Sequence, residues 1–207
     1  MNAQVGNDNG GRLMPLLVCK ELACQRGGRL LFRGVGLTLA PGEALWLQGP
    51  NGVGKSSLLR LIAGLLRVET GAIERRVPIA LADECAALDP ELPLGGALAF
   101  WAALDGADTA RTADAMAAMA LTAFADVPAA YLSTGQRKRA VLARAIASGA
   151  PLWLLDEPGN GLDCGSLALL RAAVVQHLDD GGGVVFASHF DLALPAQRAL
   201  NLMDFAR

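Results

Sequence analysis

A glycine-rich loop between an apolar run and a helical pattern carries the clearest chemical signal in the chain. Residues 49–56 read Gly-Pro-Asn-Gly-Val-Gly-Lys-Ser and fit the spacing G-x-x-x-x-G-K-[ST]. Glycines let main-chain N–H groups wrap phosphate oxygens, Lys55 can bridge the β- and γ-phosphates of a nucleotide, and the Ser56 hydroxyl can bind Mg²⁺. The alternative is a glycine-rich turn that caps an ordinary helix, which the Lys-Ser ending and the strand–loop–helix context disfavour. The residues predicted here to bind nucleotide are Gly49, Pro50, Asn51, Gly52, Val53, Gly54, Lys55, Ser56 and Ser57.

A second candidate site lies where an apolar run ends in two carboxylates. Residues 152–155 are continuously apolar, which is typical of a parallel strand buried on both faces, and Asp156 and Glu157 follow them. Downstream of a phosphate-binding loop, Asp156 is predicted to hold Mg²⁺ through water, and Glu157 to orient or deprotonate an attacking water. The pattern is weak by itself, because many strands end in an acidic residue.

A third segment, Leu-Ser-Thr-Gly-Gln at 132–136, opens a predicted helix. Ser133 at the N-cap and Gln136 three residues later form a capping box, which is a purely structural interpretation. A helix start with free N–H groups also attracts anions, so capping and phosphate recognition do not exclude each other.

The remaining pattern predicts an α/β fold. Short apolar runs predict strands at 16–23, 37–39, 44–48, 77–81, 152–155 and 184–187. Helical spacing predicts helices at 55–66, 92–104, 115–125, 133–148 and 166–178, with turns at Gly27-Gly28 and at Gly71. Strands that alternate with helices indicate a parallel sheet, into which the Ala- and Leu-rich middle of the chain is inserted as a helical lobe.

Composition restricts the class of protein. With 53% hydrophobic and 18% charged residues, the chain is expected to form one domain with a sizeable core. The net charge is -2 and the only basic block is the run Arg137-Lys138-Arg139, which argues against nucleic acid as a partner. No apolar run reaches the roughly 18 residues that cross a bilayer, so any membrane role is expected to be peripheral. None of the four cysteines, Cys19, Cys24, Cys85 and Cys164, forms a C-x-x-C pair, so free thiols are expected.

In this order the three segments resemble the ATP-binding subunits of ABC transporters, and the resemblance covers residues 16–207. It implies a P-loop NTPase fold with a RecA-like parallel core, an N-terminal antiparallel β subdomain and an inserted helical subdomain. The expected boundaries are a disordered tail at 1–13, a nucleotide-binding core at 14–82 and 131–207, and the helical lobe at 83–130. The resemblance also implies ATP and Mg²⁺ as ligands.

The resemblance further assigns roles across a head-to-tail dimer of two copies. Ser133 and Gly135 of one copy would contact the γ-phosphate held by Lys55 of the other. Asp163 lies in a segment that resembles the loop linking the two sites. His189 stands where the family places a histidine that senses the γ-phosphate, although taken alone it would be read as structural, as His177 is. The residues of the signature segment are Ser133, Thr134, Gly135 and Gln136, with Thr134 where glycine is commoner.

Two positions depart from the family pattern. Arg26 aligns where an aromatic residue usually stacks on adenine, and a guanidinium can also stack on a base. Glu84 aligns near the position of a glutamine that usually links the metal to the helical lobe. A carboxylate there could approach Mg²⁺ but would change the charge around it.

Within the family, four short segments look like the cytochrome c biogenesis ATP-binding export proteins, or haem exporter ATPases. These are Arg-Leu-Leu-Phe-Arg at 29–33, Leu-Ala-Pro-Gly-Glu at 39–43, Asp-Pro-Glu-Leu at 89–92 and Gly-Ala-Pro-Leu-Trp at 149–153. The likeness implies a peripheral subunit on the cytoplasmic face of a bacterial inner membrane. Its partners would be a multi-span permease and haem-handling membrane proteins.

Two other functions stay open from the residues alone. One is the ATPase of another small-molecule or lipid exporter, and the other is a soluble ABC-type switch without a permease. Residues 97–104 form an apolar stretch suited to receiving a helix of a membrane partner, which favours a transporter over the switch.

Overall fold

The computed structural model describes residues 14–83 and 88–206. Its strands are β1 (Leu17–Arg26), β2 (Arg29–Leu39), β3 (Ala44–Gln48), β4 (Thr70–Arg75), β5 (Ile79–Ala82), β6 (Leu152–Asp156), β7 (Gly183–Ala187) and β8 (Gln197–Asn201). Its α-helices are α1 (Lys55–Ala63), α2 (Leu94–Leu104), α3 (Ala110–Ala118), α4 (Thr134–Ala147) and α5 (Cys164–Asp179). The tail predicted at 1–13, and Glu84 and Cys85, lie outside the described residues.

Five strands form a parallel sheet in the order β5-β6-β7-β3-β8, as the alternation of strands and helices predicts. Every neighbouring pair in it runs parallel, so the loops after β3, β6 and β7 meet at one edge of the sheet. The sequence did not predict β8. This strand lies at the sheet edge and only two of its five residues are even partly buried, so it needs no apolar run.

A second, antiparallel sheet has the order β2-β1-β4, and β3 and α1 of the parallel core lie between β2 and β4 along the chain. The turn predicted at Gly27-Gly28 joins β1 to β2, and both glycines have positive φ angles of 56° and 78°. The strand predicted at 37–39 is only the end of β2. The turn predicted at Gly71 is wrong, because Gly71 lies inside β4 beside a register shift of the β1–β4 pair. A Cβ at this position would overlap the main-chain carbonyl of Lys20, so glycine serves a close approach of two strands.

Alternating side chains of the central strands build a core on each face of the parallel sheet. In β6, Leu152 and Leu154 pack on the side of α1 and the antiparallel sheet. Trp153 and Leu155 pack on the other side, with α4, α5 and the inserted helices. Because both faces are covered, the apolar run of β6 is continuous, as the sequence predicts.

The inserted segment contains α2 and α3, between β5 and α4. The helix predicted at 92–104 begins at Leu94, directly after Pro93. The helix predicted at 115–125 is wrong: α3 ends at Ala118, Ala120 takes a φ of 51°, and a short 3₁₀ turn follows at Thr122–Phe124. The helix predicted at 166–178 begins two residues earlier, at Cys164. The domain boundaries at 82/83 and 130/131 stay a prediction.

The described residues contain no helix that is both long and apolar enough to cross a membrane. Cys19, Cys24 and Cys164 carry free thiols. Burial raises the pKa of Cys19 to about 12, so this thiol stays protonated near neutral pH.

Candidate nucleotide-binding site

The predicted phosphate-binding loop runs from the end of β3 to the start of α1. Gly49, Gly52 and Gly54 have φ angles of 134°, 80° and 116°, a region in which a residue with a Cβ is strained. Helix α1 begins at Lys55 with Gly54 as its N-cap and without a side-chain cap. No acidic residue lies in its first turn. The first-turn N–H groups and the positive end of the helix dipole therefore face the loop, as an anion site requires.

Close packing fixes the shape of this loop. A Cβ on Gly54 would lie 2.9 Å from Cδ1 of Phe32, a fully buried residue of β2. A Cβ on Gly49 would lie 2.9 Å from Cγ1 of Val53. The glycines thus serve two purposes, because they permit the backbone angles and let the loop lie against the antiparallel sheet.

Lys55 lies in the concave side of the loop and is only 7% exposed. Its Nζ donates to the carbonyl oxygens of Gly49, at 2.8 Å, and of Pro50, at 3.4 Å. The two carbonyls orient the ammonium and place a positive charge where phosphate oxygens would enter.

A cavity of about 450 Å³ surrounds the loop and gathers most of the predicted site residues. Arg26 lines its wall, so the residue aligned with the usual adenine-stacking position is at the cavity. Leu31 and Asn160 also line it, and neither was predicted to bind nucleotide. Leu31 was missed because the first part of β2 was not recognised, whereas Asn160 lies in the segment predicted to link the two sites. The other lining residues are Asn51, Gly52, Gly54, Lys55, Ser56, Ser57, Glu157 and His189.

Glu157 and His189 meet at the edge of this cavity. Nε2 of His189 lies 3.3 Å from Oε1 of Glu157, and the glutamate side chain is only 18% exposed. Glu157 has a φ of 49°, a left-handed conformation that costs about 1–3 kcal/mol in a residue with a Cβ. Its N–H donates to the Ala187 carbonyl at 2.9 Å, and its carbonyl accepts from the Asn160 N–H at 3.1 Å. These bonds to β7 and to the loop after β6 hold the main chain of Glu157 in this conformation.

The position of His189 depends on the end of β7. Nε1–H of Trp46 in β3 donates to the Ser188 carbonyl at 2.9 Å, and the Trp46 ring stacks on Phe186. The Ser188 hydroxyl donates to the Phe190 carbonyl at 2.8 Å and accepts from the Phe190 N–H at 3.2 Å. Hydrogen bonds of Ser188 and Phe190, the residues before and after His189, therefore hold this turn in place.

The candidate metal ligands come from two elements, and a third lies outside the described residues. Ser56 is half-buried in the first turn of α1, and Asp156 ends β6. A hydroxyl and a carboxylate are hard oxygen donors of the kind that Mg²⁺ prefers, so the pair fits this ion. Glu84, the third predicted ligand, is among the residues that the structure does not describe.

The predicted signature residues do not line the nucleotide cavity of their own chain. Ser133 caps α4: its Oγ accepts from the Gln136 N–H at 3.2 Å, and Oε1 of Gln136 accepts from the Ser133 N–H at 2.7 Å. The capping box is thus confirmed. Ser133 and Thr134 are exposed and Gly135 is half-buried, so the start of the helix faces outward.

Asp163, in the predicted linking loop, caps α5 through Oδ1, which accepts from the Ser166 N–H at 2.7 Å. This main-chain hydrogen bond holds the pKa of Asp163 below its usual range. Asp163 does not line the cavity around Lys55 either, whereas Thr134 lines a second cavity of about 180 Å³ together with Asp156 and Glu157.

A phosphate-binding loop at the end of a parallel strand, a strand-end carboxylate pair and a capped outward-facing helix are joined here in one P-loop fold. The family described as "ABC transporter" matches residues 32–160, and the chain belongs to this family. As a member of it, the protein is an ATP-binding ABC-type ATPase.

Comparison with individual relatives shows which members of the family the chain resembles. The chain is 57% identical over 180 residues to the "Cytochrome c biogenesis ATP-binding export protein CcmA" of Sphingopyxis alaskensis, with 87% of this chain and 93% of the relative covered. A protein of the same name from Rhodospirillum rubrum is 44% identical over 199 residues, with 90% and 85% covered. Among solved structures, an "ATP binding subunit of ABC transporter" matches with a TM-score of 0.78 and 26% identity, covering 84% of this chain and 80% of that one.

Proposed function

We propose that this protein is the ATP-hydrolysing subunit of an ABC transporter complex for cytochrome c biogenesis, which powers haem export or the release of a haem-loaded periplasmic chaperone. The observation that carries the proposal is the likeness to CcmA proteins over almost the whole of both chains, 87% of this chain and 93% of the relative. The assignment of haem as the substrate rests on that likeness, because the residues of the nucleotide site bind ATP and do not select a transported substrate.

At the nucleotide site, the loop N–H groups and Lys55 bind the phosphates, and Arg26 contacts the base. Ser56, Asp156 and Glu84 are the residues that would hold Mg²⁺, which when bound offsets the phosphate charge that develops during transfer. Glu157 orients or deprotonates the attacking water. His189, 3.3 Å from Glu157, keeps this carboxylate in place and senses the γ-phosphate.

ABC ATPases work as dimers, and we propose a head-to-tail pair for this chain. Two observations support it: Ser133 and Thr134 are exposed at the start of α4, and they lie outside the cavity that holds Lys55. A second copy would bring its own signature segment onto the nucleotide, while Asp163 links the two sites. The capped helix start supplies main-chain N–H groups to a partner's γ-phosphate.

A membrane permease is the second proposed partner, and α2 offers the surface for it. Helix α2 contains no charged residue from Leu94 to Leu104. Ala97, Leu98 and Ala102 face the core, so only part of the stretch predicted as a docking surface is exposed. Phe100, which is 59% exposed, and Leu104, which is 65% exposed, form with Ala103 an apolar outer face. An uncharged outer face on a surface helix is typical of a contact with another protein.

This partner places the protein at the cytoplasmic side of a bacterial inner membrane as a peripheral subunit. Haem-handling membrane proteins complete the proposed complex, and nucleic acid has no part in it.

The test replaces Glu157 by Gln in cells that lack their own copy of the protein and express the candidate permease. Membrane ATPase activity should fall about 100-fold or more, because the water-activating group is lost, while ATP binding is retained. Formation of c-type cytochromes should fall with it. Glu74→Gln removes an exposed carboxylate of β4 and should leave both readouts at the wild-type level.

Three other results of these experiments would contradict part of the proposed function. If hydrolysis falls and cytochromes still form, the protein serves another exporter and the haem assignment is wrong. If no membrane protein is recovered with the chain from detergent extracts, a soluble switch is favoured. If Glu157→Gln hydrolyses ATP like the wild type, the role of Glu157 is wrong.

A further inference from the structure

Each of the three cations at the start of α4, Arg137, Lys138 and Arg139, donates to main-chain carbonyls. Two of them tie the helix to the inserted segment. Nη2 of Arg137 donates to the carbonyls of Ala130 and Leu132, at 3.3 and 3.4 Å. Nη1 of Arg139 donates to the carbonyls of Met119 and Ala120, at the end of α3, at 2.7 and 3.0 Å. The run is therefore a set of internal clamps, which explains three adjacent cations without a nucleic-acid partner.

The middle residue of the run, Lys138, points elsewhere. Its Nζ donates to the carbonyl oxygen of Asn160, in the loop after β6. Gly161 follows with a φ of 71°, and a Cβ on it would lie 3.4 Å from the same Nζ. The half-buried Lys138 thus packs against the backbone of this loop from the side of α4.

The loop that Lys138 holds belongs to the nucleotide site of the same chain. Asn160 lines the cavity around Lys55, and its N–H donates to the carbonyl of Glu157 at 3.1 Å. Lys138 and Glu157 also line a second cavity, of about 180 Å³, between α4 and the end of β6. Two successive hydrogen bonds therefore join α4 to the main chain of the proposed catalytic residue.

We propose that Lys138 is a positioning residue that makes hydrolysis at one ATP site depend on nucleotide at the other. The proposal rests on the head-to-tail dimer of the proposed function, in which the start of α4 contacts the nucleotide held by the partner. Lys138 lies one helical turn after Thr134, so a shift of the helix start moves its ammonium. Through Asn160 that shift reaches Glu157, which is held in a left-handed conformation by main-chain bonds. Because the acceptor is a main-chain carbonyl, the link depends on the lysine and not on the side chain at 160.

The test compares Lys138→Met, Lys138→Arg and wild type in the assembled transporter in membranes. The ATP dependence of hydrolysis gives a maximal rate and a Hill coefficient, and a fluorescent ATP analogue gives the affinity. Lys138→Met should lower the Hill coefficient toward that of independent sites and the maximal rate by about 5-fold or more, with unchanged affinity. Lys138→Arg keeps a donor and should restore most of the cooperativity.

Arg137→Met is the matched control, because it removes a neighbouring cation and its bonds to the carbonyls of Ala130 and Leu132 but keeps the bond of Lys138 to Asn160. It should keep the wild-type Hill coefficient. If the wild type and Lys138→Met are equally cooperative, the proposed role of Lys138 is wrong, and the proposed dimer is unaffected. A wild type without cooperativity, together with a Glu157→Gln variant that stays monomeric in ATP, would overturn the dimer itself and the Lys138 proposal with it. Equal loss in Lys138→Met and Arg137→Met would show a general effect of α4 and would also overturn the proposal.

Discussion

At the scale of single residues, the chain keeps its reactive groups in place with main-chain partners. Lys55 bonds two carbonyls of its own loop, Glu157 bonds β7 through its N–H, and Lys138 bonds the loop after β6. Main-chain partners do not depend on the identity of a neighbouring side chain. A substitution of a neighbouring side chain is therefore expected to leave these hydrogen bonds in place.

Replacing Lys55 by Ala should weaken ATP binding itself. The variant loses the cation that faces the phosphates and the bonds that shape the loop. A charged hydrogen bond is worth about 1.5–3 kcal/mol, so the Kd for ATP should rise about 10–100-fold, measured by titration calorimetry. Lys20→Ala, at an exposed position in β1, is the control with unchanged Kd. An unchanged affinity in Lys55→Ala would rule out its phosphate contact.

At the scale of elements, α5 is fixed to β6 by a stacked pair of rings. The centroids of His177 and Trp153 lie 3.8 Å apart with an interplanar angle of 10°, and Trp153 is 6% exposed. Burial lowers the pKa of His177 below its ordinary value of 6.5. The neutral imidazole is therefore the form that fits the folded chain.

This histidine should make stability depend on pH. Because its pKa is lower in the folded chain, the unfolded chain binds the proton first as the pH falls below 6.5. Stability present above that pH is lost as the pH falls through the lower, folded-state pKa. The urea midpoint should drop between about pH 7.5 and about pH 5.5, and less so in His177→Gln.

Ala168→Gln, at an exposed position of the same helix, is the control and should keep the wild-type dependence on pH. If His177→Gln and the wild type lose the same stability over this range, a different group carries the dependence.

At the scale of the whole molecule, the parallel sheet separates two surfaces. The loops after β3, β6 and β7 gather the nucleotide residues at one edge, while α2 in the inserted segment carries the apolar outer face. Helix α4 lies between them, because its cations contact both the inserted segment and the loop after β6. Helix α4 therefore contacts both the loop of the proposed nucleotide site, through Lys138, and the helix of the proposed permease surface, through Arg144 over the Trp101 ring.

The outer face of α2 should recruit the protein to its permease. Combining Phe100→Ser and Leu104→Ser removes the two large exposed apolar side chains of α2 and leaves its buried residues Ala97, Leu98 and Ala102 unchanged. The fraction of the chain that sediments with permease-containing membranes should fall several-fold, because the contact loses buried apolar area. ATP affinity should not change.

Met203→Ser controls for a general loss of surface hydrophobicity. Met203 is 50% exposed and follows β8, at the sheet edge opposite β5. Undiminished sedimentation of the Phe100/Leu104 variant would place the permease contact elsewhere.

The sequence by itself determined the parallel core, the phosphate-binding loop and the capping box at Ser133. Each depends on local physics: positive φ at glycines, a continuous apolar run in a strand buried on both faces, and a side chain that caps its own helix. The strand conformation of Gly71, the strand β8 and the start of β2 could not be predicted from local sequence, because neighbouring strands that are distant in sequence set these conformations.

Only the tertiary structure decided which residues meet. It brought Leu31 and Asn160 to the cavity around Lys55, placed Nε2 of His189 3.3 Å from the Glu157 carboxylate, and directed Lys138 to a carbonyl 22 residues away in the sequence. Local patterns predict what a segment can do. They do not predict its partners, because a contact between distant segments is fixed by how the elements pack against each other.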